Sequence, residues 1–102
     1  MNIYNSKFKN GLLRVHIGGL DSWESVEDVA KFFLENLAAV ITKKTDGVDA
    51  RSWSLKIREK SIILVYDDLL GTFFYSENPN DEPLLKELSE TLKNSKEFSS
   101  KH

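Results

Sequence analysis

Cysteine is missing from this 102-residue chain, and methionine occurs once, proline twice and histidine twice. Without cysteine there can be no disulfide, thiolate zinc centre, iron–sulfur cluster or cysteine nucleophile, and the redox compartment is unmarked. Long apolar runs are also missing. "SIILVY" and "LAAVI" fall far short of the roughly 18 residues that suggest a membrane span. The opening "MNIYNSKFKNG" is polar and has no apolar h-region of a signal peptide, so a cytoplasmic location without a membrane partner is expected. Glycine-rich phosphate loops are lacking too. "IGGLDSW" sets two glycines between a strand and a helix, but with neither the P-loop nor the G-x-G-x-x-G spacing.

What is present suits one domain. Hydrophobic residues make up 40% and charged residues 29% of the chain, enough apolar mass for a core without staples, so a single α+β domain over residues 1–102 is expected, frayed from 94 to 102. "GLLRVHIGG" alternates, with Leu13, Val15 and Ile17 on one face, and reads as a half-buried strand. Ile3 and Phe8 belong to a short preceding strand, with "KNG" as the turn. Val26, Val29, Ala30, Phe33, Leu34 and Leu37 then follow helical spacing, with Asp21 and Glu24 as a capping box. "AVITKK", "RSWSLKI", "SIILVY" and "TFFYS" read as four strands. Trp53, Leu55 and Ile57 share the apolar face of the second, and the third is apolar enough to be covered on both faces. Leu84, Leu85, Leu88 and Leu92 mark a last helix that Pro83 can only begin. The resulting order, β(β)-α-β-β-β-β-α, predicts a two-layer sandwich: an antiparallel β-meander with two helices packed on one face.

Charge is unevenly spread. Residues 43–60 hold six basic side chains against three acidic ones, and residues 61–92 hold seven acidic ones against Lys86 alone. Such blocks are either solvated faces or surfaces that steer a charged partner.

The motif "YDDLLG" sets two adjacent carboxylates beside a tyrosine in a hairpin turn, as in a metal-binding turn. A two-metal site needs a further carboxylate from another element. Asp46 and Asp49 are the candidates, but they lie in an expected loop flanked by Lys43, Lys44 and Arg51. Aspartate at the start of a turn more commonly accepts backbone N–H groups. "ENPNDE", residues 77–82, is rich in oxygen ligands and reads as a loop and helix cap. His16, on the polar strand face near Arg14, has no serine or carboxylate beside it by local spacing and reads as a surface histidine. The basic stretch with Trp53, Phe73, Phe74 and Tyr75 faintly resembles a stacking sheet for nucleic acid, but a pI near 5.7 argues against a phosphate partner.

The segment "TKKTDGVDARSWSLKIREKSIILVYDDLLGTFFYSE", with its tryptophan strand, its acidic strand end and its glycine before an aromatic strand, resembles a family of small uncharacterised proteobacterial proteins carrying a domain-of-unknown-function label. The resemblance implies no activity.

These observations lead to the expectation of a non-enzymatic protein–protein interaction module, with no cofactor and no metal. It would be an adaptor, a complex subunit, or an inhibitor of the immunity kind. The expected surface comprises Asp67, Asp68, Phe74, Glu77, Glu87 and Glu90, docking a protein partner or a second copy at a sheet edge formed by "TFFYS" or by the N-terminal strand. Phe74, facing away from Phe73 and Tyr75, would be exposed there. The alternative is a metal-assisted hydrolase or nucleotidyl-transfer site centred on Asp67 and Asp68.

Overall fold

The computed structural model describes residues 2–95; most of the expected frayed tail lies outside the described residues. Six strands form one antiparallel sheet: β1 (Asn2–Lys7), β2 (Leu13–Gly18), β3 (Val40–Asp46), β4 (Ala50–Ile57), β5 (Lys60–Asp67) and β6 (Gly71–Tyr75). Helix α1 (Ser25–Leu37) follows β2, and a 3₁₀ turn (Pro79–Asp81) leads into α2 (Glu82–Lys93). The element order is the expected one, and the α+β sandwich holds.

The strand order is β1-β2-β6-β5-β4-β3. Strands β3 to β6 are a meander, but β6 does not end the sheet. It pairs with β2 through Arg14 opposite Tyr75, Val15 opposite Phe74 and His16 opposite Phe73. The edges are therefore β1 and β3, and the expected edge at "TFFYS" is corrected.

Alternation along the strands now sorts the two faces. Val15, Phe74, Leu64 and Trp53 stand in register across β2, β6, β5 and β4. All four are buried beneath the helices, with Val26, Val29 and Phe33 from α1 and Leu85, Leu88 and Leu92 from α2 in the same core. Phe74 is fully buried and meets Phe33 edge-on at 5.9 Å. Its expected exposure is overturned because a central strand exposes neither edge, and the helices claim its face. Trp53 is a core residue, as the alternation indicated, and Leu64, within the apolar run of β5, is fully buried opposite it.

The helix-free face carries a smaller cluster. Tyr4, Phe8, His16, Phe73 and Tyr75 contact one another there, and the Arg14 guanidinium lies over Phe8 at 4.6 Å and Phe73 at 5.4 Å. Strand β5 is fully covered only on the helix side, since Ile63 and Val65 are half-buried.

Helix α1 begins later than the capping box suggested. Glu24 holds the N-cap position without a side-chain bond, and Ser25 Oγ accepts the backbone N–H of Ser22 in the turn before it. The stripe includes Phe32, while Leu34 is exposed. Helix α2 starts behind Asp81 with Pro83 in its first turn.

Candidate functional site

Residues at the far ends of the hairpins meet at one end of the sheet. The β5–β6 turn, residues 68–70, lies there with the β3–β4 turn, residues 47–49, because Ala50 is opposite Asp67 and the Asp68 N–H donates to the Asp49 carbonyl at 3.2 Å. Asn2 is opposite Gly18, so the start of β1 and the segment leading to Asp21 belong to the same end.

The β5–β6 turn is a built structure. Asp67 Oδ1 accepts the backbone N–H groups of Leu69 at 2.8 Å and Leu70 at 3.1 Å, an Asx-type arrangement. The Tyr66 hydroxyl donates to Asp68 Oδ1 at 3.0 Å. Gly71 closes the turn at φ 76, and a Cβ there would lie 2.7 Å from Asp21 Oδ1, so only glycine fits without strain. The Tyr66 hydroxyl is held above its ordinary pKa of 10, first by the hydrogen bond to Asp68, then by burial and by the charges of Asp68, Asp21 and Asp67.

This pinned turn displays apolar side chains. Leu69 is 94% and Leu70 46% exposed, with Tyr4 at 48% and Val48 at 101% on the same end. These are four of the six exposed large hydrophobic residues among those described. Tyr4, Asp21, Tyr66, Asp68, Leu69 and Leu70 surround an open hollow of about 370 Å³. No described basic side chain forms an ion pair with Asp21, Asp49, Asp67 or Asp68. The end of the sheet is thus apolar at its tips and acidic around them.

The other expected surface residues do not join it. Glu77 lies past the opposite end of β6, about 17 Å away for five residues at roughly 3.4 Å each. Glu87 binds Arg58 at 2.6 Å and Glu90 binds Lys93 at 3.6 Å. Phe74 is in the core. Two carboxylates of the acidic block are taken up by the basic block, Glu87 by Arg58 and Asp81 by Lys60, the latter at 3.1 Å. In "ENPNDE", Asn78 caps the 3₁₀ turn by accepting from the Asn80 N–H, and buried Asp81 accepts from Ser76 and Lys60. The Ser76 bond, then the Lys60 bond and charge, hold Asp81 below the ordinary carboxylate pKa against the opposing effect of burial. Among the described residues, no three of His, Asp and Glu converge as metal ligands, around Asp67 and Asp68 or elsewhere.

Two clusters escaped the sequence reading. Arg51, read as part of a basic stretch, is buried. Its guanidinium donates to both Asp46 oxygens at 3.0 and 3.2 Å, to Glu27 Oε2 at 2.9 Å and to the Trp23 carbonyl at 2.8 Å. It is sandwiched between the rings of Trp23 and Trp53, at 4.7 and 4.8 Å. The Trp53 indole N–H also donates to Asp46, at 2.9 Å. The alternation of "RSWSLKI" puts residue 51 on the face of Trp53, which is the available signal.

His16 is also buried rather than at the surface, and a serine does stand beside it. Ser6 Oγ lies 2.7 Å from His16 Nε2 and accepts from Arg14 Nε at 2.9 Å. Burial, then the charge of Arg14, lowers the His16 pKa below its ordinary 6.5, which favours the neutral ring. Its Nδ1 has no hydrogen-bond partner among the described residues, so the pair lacks the third group that orients a catalytic base. The pairing follows from the hairpin register, Tyr4 opposite His16 and Ser6 opposite Arg14, which a turn centred on Asn10 implies.

A family model described as "Protein of unknown function (DUF3630)" matches residues 2–92. The resemblance to an uncharacterised family is borne out and extends beyond the second half of the chain. No curated protein and no solved structure matches.

Proposed function

The chain belongs to the DUF3630 family, and we propose that it is a protein–protein contact module acting by binding rather than by catalysis. Its docking surface is the acidic and apolar end of the sheet, and its partner presents an apolar side chain next to lysine or arginine. A cytoplasmic location is part of this proposal. No helix among the described residues is long and apolar enough to cross a membrane.

The observation that carries the reading is the exposure of Leu69 and Leu70 on a turn whose backbone is tied down by Asp67. An exposed leucine on a loose loop costs a partner ordering entropy when it binds. A leucine on a pinned turn has already lost that freedom, so its burial adds to affinity more fully. The carboxylates of Asp21, Asp49 and Asp68 around it favour a basic partner and raise its on-rate.

The test is co-purification from a native lysate with three baits: the wild-type chain, Leu69→Ser/Leu70→Ser, and Val40→Ser. Val40 is exposed at the opposite end of the sheet. Proteins retained by wild type and Val40→Ser, but lost with the double variant and at raised salt, are the expected result. Equal retention by all three baits overturns the reading.

A further inference from the structure

The two edges of the sheet are not alike. β3 carries Lys43 and Lys44 and is interrupted by a bulge between Ile41 and Lys43 in its pairing with β4, both devices that keep an edge from pairing. β1 has neither. Its pairing with β2 runs from Asn2 to Lys7 without a shift, and "NIYNS" bears no side-chain charge. Charge is instead divided between its two ends. Beyond Asn2 lie Asp21, Asp67 and Asp68, which share the neighbourhood of Tyr4 and Tyr66. At the other end stand exposed Lys7 and Lys9, neither of them in an ion pair with a described residue.

We propose that β1 pairs with β1 of a second copy, antiparallel, joining two six-stranded sheets into one of twelve. This rests on the reading of the acidic end as a protein contact and supplies its partner. Charge selects the direction. A parallel pairing would set Lys7 beside Lys7, whereas an antiparallel one sets Lys7 of each copy toward the acidic end of the other, so the same attraction is made twice. Alternation selects the register. A two-fold axis normal to the sheet keeps the helices of both copies on one side, so residues of like facing must stand opposite each other. Ile3 packs on the helix-side core and Tyr4 stacks on His16 across the sheet, so Ile3, Asn5 and Lys7 share one face, and Tyr4 and Ser6 the other. With Asn5 opposite Asn5, Ile3 faces Lys7 of the second copy, and Tyr4 faces Ser6.

Sedimentation equilibrium of the full chain over a concentration series, at low and high salt, tests the proposal, together with disulfide trapping. The chain has no cysteine, so Asn5→Cys can link only to its counterpart. The expected result is a monomer–dimer equilibrium that tightens at low salt. Lys7→Glu should weaken it by about tenfold, and Lys7→Glu/Asp68→Lys should recover it. Asn5→Cys should trap a covalent dimer on oxidation. A wild-type monomer at every concentration overturns the proposal, and if Leu69-dependent capture persists, the contact reading stands with a different partner. A dimer indifferent to Lys7→Glu and untrapped by Asn5→Cys places the second copy elsewhere and overturns it equally.

Discussion

Replacing Arg51 probes the part of the fold with the most tightly interlocked polar contacts. The guanidinium makes a two-point contact with Asp46, a bond to Glu27 and a bond to the Trp23 carbonyl, and lies between two indole rings. Hydrogen bonds to charged groups contribute about 1.5–3 kcal/mol each in isolation, and a cation over an aromatic face about 0.5–2. These do not sum, because all depend on one side chain being in place. Breaking a buried pair costs about 3–5 kcal/mol. Here Glu27 is 54% and Asp46 42% exposed, so both carboxylates recover solvation when the arginine goes, which favours the lower half of that range. Arg51→Ala should therefore destabilise by about 3–4 kcal/mol. Arg51→Lys keeps the charge but not the planar fork, and should still cost about 2 kcal/mol. Urea unfolding followed by far-UV circular dichroism measures both, with an unchanged m-value required for the comparison. A loss below about 1 kcal/mol for Arg51→Ala, or a lysine variant equal to wild type, would refute the reasoning. The network also has a pH signature. Hydrogen bonds from Arg51 and then Trp53 depress the Asp46 pKa below its ordinary 3.8. The folded state thus binds that proton less readily than the unfolded chain, so the contribution of Asp46 is complete above pH 3.8 and is lost as pH falls through its lower folded-state value.

Other outcomes follow from single positions. Ala38 ends α1 at φ 54 and Glu59 sits at φ 66 in the β4–β5 turn. Ala38→Gly and Glu59→Gly should each stabilise by about 0.5–1 kcal/mol in the same unfolding assay, since glycine takes these conformations freely and the exposed Lys56–Glu59 pair is worth little. Phe74→Lys should cost at least about 4 kcal/mol or prevent folding, as expected of a charge placed against Phe33 in a packed core; a folded variant with altered association would restore Phe74 to the surface. Asp67→Asn keeps the acceptor for the Leu69 and Leu70 N–H groups and should be nearly neutral, whereas Asp67→Ala should cost about 1 kcal/mol in melting or urea experiments.

Where the pattern was local, the sequence was readable. Period two in "GLLRVHIGG" and "RSWSLKI" identified the buried faces of Val15 and Trp53, and the helical stripe located Val26, Val29 and Phe33. Phe74 was misread because β6 was taken for an edge: the hairpin register sets Phe74 opposite Leu64 on the helix-covered face, and pairing with β2, between residues some sixty positions apart, makes the strand central, which no local period encodes. The same gap hid the pairing of Arg58 with Glu87 and of Lys60 with Asp81, which joins part of the two charged blocks to each other. The turn role of Asp67 was legible because an Asx-type turn needs only neighbouring residues. The hollow it helps to build was not, since Tyr4, Asp21 and Asp68 come together only when three hairpins end at one place.

The central claim, that the acidic and apolar end of the sheet binds a basic and apolar partner, is tested most directly by selecting random displayed peptides on the wild-type chain, with Leu69→Ser/Leu70→Ser carried in parallel. Peptides joining leucine or an aromatic residue to lysine or arginine, bound by wild type at low salt and lost on the variant, are the predicted result. Enrichment without excess basic residues, or binding undiminished on the variant, would contradict it.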